Sequence, residues 1–180
     1  DLSDSGVQAA FSYFDSVIVL SRTVSGQGRY PAVDLLASSS SVVDPDILGN
    51  DHFEVYLETV AMLKRYSYLD KIVSIVGEYE LSATDQVTYH RARKLLNYMT
   101  QNMFVTAEQT GRAGAFVPRK QTIFDVREII SGKYDKVPEG EFLYQADLSA
   151  VRKKQAADEK AAAKALAASS PQPAAVPAAK

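Results

Sequence analysis

The spacing of apolar positions changes character about a quarter of the way along this chain. Before residue 46 it is irregular. A short segment, VQAAFSYF (7–14), precedes the compact β-branched run SVIVLS (16–21), which reads as a buried strand. TVSGQGRYP (23–31) reads as a loop broken by Gly26, Gly28 and Pro31, and it leads through the serines 38–41 to the turn Asp44-Pro45-Asp46. Beyond it the period becomes helical. Phe53, Tyr56, Val60 and Leu63 step by three and four and predict one helix face. Leu69, Ile72, Val73 and Val76 predict a second short helix ended at Gly77. A third, capped by Thr84 or Asp85, carries Tyr89, Ala92, Leu96, Met99 and Met103 on one face. TGRAGAFVP (110–118) has little helical character, and Ile123, Val126 and Ile130 predict a last helix stopped at Gly132. Glu139 and Glu141, after Pro138, read as the charged start of another helix. A lone strand cannot stand in a fold, so SVIVLS requires neighbours from outside this stretch or from another chain.

The last thirty residues differ from the rest. Val151–Lys180 holds six Lys/Arg against two acids, a local charge near +4. VRKKQAADEKAAAKALA has high helix propensity, whereas SSPQPAAVPAAK, with three prolines, is expected to be extended or disordered. Two readings of this tail stay open: a solvated appendage, or a docking helix for a partner.

Composition narrows the function classes. Hydrophobic residues make up 46% and charged residues 23%, a globular balance, and no apolar run approaches the ~20 residues that cross a bilayer. The opening residues are acidic, unlike a signal or transit peptide. With no cysteine there is neither a disulfide nor a thiolate site, and two distant histidines, His52 and His90, make a His-rich metal centre unexpected. A net charge of −2 gives no electrostatic case for nucleic acid. No GxxxxGK[ST] loop is present to cradle phosphates, GQG (26–28) is too short for a dinucleotide fingerprint, and no serine lies in a GxSxG elbow. No catalytic residue and no metal ligand is therefore assigned. Tyr30, directly before Pro31 in a glycine-flanked loop beyond a strand, sits where α/β folds bind ligands. It is open to two readings, a packed loop tyrosine or a platform for a base.

Several motifs, in order and with matching spacing, carry a resemblance. They are DLSD (1–4), DSVIVLSR (15–22), RYPAVD (29–34), DPDILGNDHF (44–53), ELS (80–82), RARK (91–94), TG (110–111), VP (117–118) and GKYDKVPEGEF (132–142). Together they resemble the beta subunit of F-type ATP synthases over residues 1–148, with YPAVDP and GEYDHLPExAF among the family's counterparts. The resemblance implies a mainly α fold: a C-terminal helical bundle preceded by the last strand and loop elements of an α/β P-loop nucleotide-binding domain. Its expected divisions are 1–45 (end of the nucleotide-binding domain), 46–148 (helical domain), 149–168 (Ala/Lys-rich helical extension) and 169–180 (Pro/Ala-rich disordered tail). It implies ATP or ADP with Mg as the cofactor of the complete subunit, and no cofactor is assigned to this chain alone. Implied partners are alpha-type subunits, a central gamma-type shaft and the N-terminal remainder of beta, with the membrane met only through the complex. The implied setting is the matrix side of the mitochondrial inner membrane, or alternatively the bacterial cytoplasmic membrane.

By the same resemblance Tyr30 matches the tyrosine that stacks on adenine. Two phenylalanines of the family's pocket are replaced: one position falls on Gln109 (EQTG, 108–111), the other on Met103, or on Phe104 if the register slips by one. Ser41 stands where the family's DSTSR has arginine, VQAAF lacks the prolines of APATTF, and the acidic DELSEED loop reads YELSATD (79–85), keeping only Glu80 and Asp85 charged. Three readings follow: a divergent beta segment working in a catalytic ring, a beta-derived accessory protein without nucleotide turnover, or a secretion-export ATPase relative suggested by PAVDLLASS (31–39). The isolated chain is expected to show no ATP hydrolysis in a coupled assay; sustained turnover by pure material would contradict that.

Overall fold

A computed structural model describes residues 3–169, with side chains described up to residue 161. In chain order the elements are α1 (Ser5–Phe11), β1 (Ser16–Val17), α2 (Arg22–Gly26), β2 (Ser39–Ser40), α3 (Pro45–Leu48), α4 (Asn50–Val76), α5 (Ala83–Tyr98), α6 (Ala107–Thr110), α7 (Arg119–Ile130) and α8 (Ser149–Ser169). The chain divides into two units, residues 1–148 and 149–180. The first is a helical bundle with a small amount of strand, the mainly α class expected. The second, described by itself, is the helix α8 in the Ala/Lys-rich stretch, where Gln155 donates to Glu159 one turn on. The Pro/Ala-rich stretch expected to be disordered lies outside the described residues from 170 onward.

The expected buried strand is reduced to two residues. Ser16 and Val17 pair antiparallel with Ser40 and Ser39, and Leu20 makes a single bridge to Val33. Ile18 and Leu20 are 72% and 71% exposed, so SVIVLS is not buried among the described residues. Val17 and Val19 are partly covered, and Ile18 and Leu20 point away from the described residues.

The two helices expected between residues 53 and 76 are one, α4, of 27 residues. No glycine or proline interrupts 50–76, and Gly77, at φ 91 with its amide on the Val73 carbonyl, ends it. The inward stripe also differs. Val55, Leu63 and Leu69 are buried and Tyr66 and Val73 partly so, while Tyr56 faces solvent. The stripe therefore runs about one residue away from the expected 53–56–60–63 face and takes in polar positions. His52 Nδ1 and Thr59 Oγ1 lie buried on it without a hydrogen-bond partner, and burial, helped by Arg119, holds the His52 pKa below its usual value.

Helix α5 is capped by Ser82, two or three residues before the expected caps. Ser82 accepts from the Asp85 amide at 3.2 Å and donates to the Asp85 carboxylate at 2.9 Å, a reciprocal cap. Arg65 of α4 adds a charge-assisted bond to Asp85 at 2.7 Å. Helix α5 buries more than a stripe. Tyr89 meets Tyr66 and Leu69 from α4, and Ala92, Leu95 and Tyr98 complete its interior, while Leu96 is only partly covered. Met103 lies beyond the end of the helix.

The opposite side of α5 grips the segment 132–142 through polar side chains. The Lys94 ammonium, 3% exposed, donates to the carbonyls of Tyr134 at 2.9 Å and Asp135 at 2.8 Å. Burial lowers its pKa against the opposing pull of Asp135 and Glu139. Arg91 pairs with Asp135, Arg93 with Glu139, and Asn97 donates to the Glu139 carbonyl. His90 lies between Glu78 and Glu139, 3.0 Å and 2.7 Å from them. The segment itself buries Tyr134 and Phe142 edge to face, and burying the Phe142 ring contributes about 3 kcal/mol. Glu139 and Glu141 open a single 3-10 turn (Glu139–Phe142) and not a helix, because Glu139 is held across to α5. Gly132, at φ 87, follows the last turn of α7, and Arg91 and Asp135 fill the space a side chain would need.

Asp125 of α7 is fully buried. It accepts from the Tyr98 hydroxyl at 3.0 Å, the Gln121 amide at 2.9 Å and the Leu148 backbone N–H at 3.1 Å. Burial, then the charge of Asp125, push the Tyr98 phenol well above its usual range, so it stays a donor. Asp125→Ala removes the shared acceptor of three donors, two of them buried, and urea unfolding is expected to report a loss of about 3 kcal/mol; a loss below about 1 kcal/mol would contradict this role. The bonds from Arg65 and then Ser82 depress the Asp85 pKa below its ordinary 3.8. Its contribution to stability is thus complete above pH 3.8 and lost as pH falls through the lower folded value. Asp85→Asn is expected to flatten the acid limb of the stability–pH curve below about pH 4, and an unchanged limb would count against it.

Candidate nucleotide-base hollow

The loop after α2 is tied to the end of α5 at several points. Arg29 donates to the Asn97 side chain at 3.0 Å, and the Tyr30 carbonyl accepts from the Gln101 amide at 3.0 Å. The Tyr30–Pro31 peptide is cis. The Tyr30 hydroxyl lies 2.9 Å from Ser25 Oγ, while its ring remains 50% exposed. Tyr30 is thus fixed at its backbone and at its phenol, with a ring surface left free.

That ring lines a hollow of about 360 Å³ together with Pro31, Gln101, Asn102 and part of the turn 103–112. Met103 and Gln109 are both in its wall, so the three positions singled out from sequence, Tyr30, Met103 and Gln109, come together. Phe104, the alternative register for the second phenylalanine, is not in the lining and is 70% exposed. Its ring and backbone pass so close to Gly114 that a Cβ there would fall 2.6 Å from the Phe104 Cα. This close approach is what requires glycine at 114.

Two residues of the hollow gave no signal in the sequence. Tyr144 follows the segment held by Lys94, in the left-handed region at φ 56. Its amide donates to Thr100 Oγ1 at 2.7 Å, its carbonyl accepts from Asn102 at 3.0 Å, and its hydroxyl donates to the Gly28 carbonyl at 2.6 Å. The Arg112 guanidinium lies 4.2 Å from the centre of its ring. Nothing in spacing or composition joins residue 144 to residue 30; the polar grip of α5 on 132–142 and the bonds of Tyr144 to Thr100, Asn102 and Gly28 bring them together.

The hollow combines a free aromatic face with amide, hydroxyl and guanidinium groups, suited to a flat heteroaromatic ring with polar edges. The fit to a whole Mg-nucleotide is partial. No phosphate loop is present in the chain, and among the described residues no group of three or more His, Asp or Glu side chains is placed to hold a metal ion. These residues could hold a base; the phosphates and Mg would need groups from elsewhere.

The unit that carries this hollow is mainly helical. Residues 42–115 match the family model of the C-terminal domain of V and A type ATP synthase. The match covers less than half of the 180 residues, from α3 through α5 to the turn that walls the hollow. It supports the C-terminal region of an ATP synthase subunit and does not single out an F-type beta subunit. A region of this kind implies partners within an ATP synthase complex and a membrane-associated setting. None of the described helices is long and apolar enough to cross a membrane.

Proposed function

We propose that this chain is the C-terminal segment of the beta subunit of a rotary proton-translocating ATP synthase, with Tyr30 stacking on adenine. Its helical domain would couple shaft rotation to ATP synthesis or hydrolysis by opening and closing as a rigid body, a population shift between two arrangements. In this reading residues 1–45 end a nucleotide-binding domain and 46–148 form the moving helical domain. Alpha-type subunits, a gamma-type shaft and the rest of beta complete the machine at an energy-transducing membrane, mitochondrial on the matrix side or bacterial on the cytoplasmic side. ATP or ADP with Mg is the cofactor of that complete subunit.

The observation that supports this reading most is the convergence of Tyr30, Met103 and Gln109 on one hollow, although 73 and 79 residues separate them in sequence from Tyr30. Within the broader ATP synthase class, the F-type choice leans on GKYDKVPEGEF (132–142), which lies beyond the matched residues and is the segment that Lys94 holds. A second reading, a beta-derived accessory subunit without nucleotide turnover, is favoured by Met103 and Gln109 themselves, since neither supplies the ring that the resemblance leads one to expect.

Gln109→Phe separates them. If the hollow takes adenine, a ring at 109 is expected to tighten ADP binding by the assembled protein roughly two- to tenfold in an equilibrium titration. An unchanged dissociation constant would mean that the pocket assignment is wrong.

A further inference from the structure

We propose that the cation–π pair Arg112–Tyr144, and neither of the side chains at 103 and 109, forms the second wall of the base-binding hollow. This rests on the reading of the hollow as an adenine site and goes beyond it by naming what replaces the missing rings.

The two tyrosines are fixed to adjacent residues of one segment. The Gln101 amide holds the Tyr30 carbonyl, and the Asn102 side chain holds the Tyr144 carbonyl, each at 3.0 Å. The Tyr144 hydroxyl then reaches back to the Gly28 carbonyl, two residues before Tyr30. A shift of either tyrosine is therefore transmitted to the other through three hydrogen bonds and a single loop.

Tyr144 adopts a left-handed backbone that a bulky side chain seldom accepts. Four contacts keep it there: the bond to Thr100, the bond from Asn102, the hydroxyl bond to Gly28 and the guanidinium against its ring. Backbone strain fixed by surrounding contacts at the wall of a hollow is a pattern associated with ligand positioning. Met103 is flexible and 43% exposed, and Gln109 carries no ring. The phenol of Tyr144 and the planar guanidinium of Arg112 are both surfaces on which a purine stacks, and the guanidinium also places a positive charge where a ligand's phosphates would be attracted.

The test is a titration of adenosine, and separately of ATP, into the full chain, followed by NMR. Tyr144→Leu is expected to weaken adenosine binding roughly two- to tenfold, as Tyr30→Ala does, whereas Tyr144→Phe keeps the ring and stays within about twofold of the unaltered chain. Arg112→Gln is expected to weaken both ligands and ATP the more, because it removes a charge as well as a plane. Met103→Ala is expected to change neither. If Tyr30→Ala weakens adenosine binding and Tyr144→Leu and Arg112→Gln do not, the second wall is misassigned while the site stands. If the unaltered chain binds no adenosine, or Tyr30→Ala leaves its affinity unchanged, the adenine reading falls and this inference with it. Should Tyr144→Leu lose its folded spectrum, Arg112→Gln decides alone, and unaltered adenosine affinity in that variant overturns the proposal.

Discussion

A buried ammonium holds this unit together. Lys94 is almost wholly removed from water and directs its charge at two backbone carbonyls, those of Tyr134 and Asp135. Taking an ammonium out of water costs several kcal/mol unless its donors are used and counter-charge lies near. Two carbonyls, with Asp135 and Glu139 close by, offset that cost. In return the irregular segment after α7 is fixed in register against α5, so that Tyr134 and Phe142 enter the core.

The register carries on into the hollow. Two residues after Phe142, Tyr144 takes its place by donating to Thr100 at the end of the same helix, and its hydroxyl meets the loop that bears Tyr30. The segment following α5 then ties both tyrosines through Gln101 and Asn102. Helix α5 is thus the common support of the core, the 132–142 segment and the hollow. Its far end is braced by Ser82, Asp85 and Arg65, and its middle by the Tyr66–Tyr89 stack against α4. A rigid support of this kind is what a domain needs if it is to move as one body.

Part of this was readable from the residues. The three-and-four spacing after residue 50 marked a helical bundle, and Gly77 and Gly132 marked helix ends at the positions where positive φ angles occur. The spacing could not show that 50–76 is one helix, because the step from Leu63 to Leu69 looks like a break unless Tyr66, which packs there against Tyr89, is counted on the inward face. It misplaced the inward stripe because His52 and Thr59, polar by type, lie on the buried side. Lys94 and Asp125 could not be found at all: a lysine and an aspartate in helices read as solvent-facing until their partners, forty and twenty-seven residues away for Tyr134 and Tyr98, are in place. SVIVLS misled in the other direction, since a β-branched run reports a preference for burial and cannot supply the layer that buries it. In the hollow, position 30 stood out by its proline and glycine neighbours and positions 103 and 109 by resemblance. Residue 144 had no local mark, because what brings it there is the long-range grip of α5.

The measurement that tests the central claim most directly is native purification through a tag placed after α8, with mass spectrometry of everything that accompanies the chain. The account predicts alpha-type subunits, a shaft subunit and a polypeptide bearing the phosphate-binding motifs in fixed proportion to it. Recovery alone, or with a synthase that already contains its full set of complete beta subunits, would contradict the claim that this chain is part of the catalytic ring.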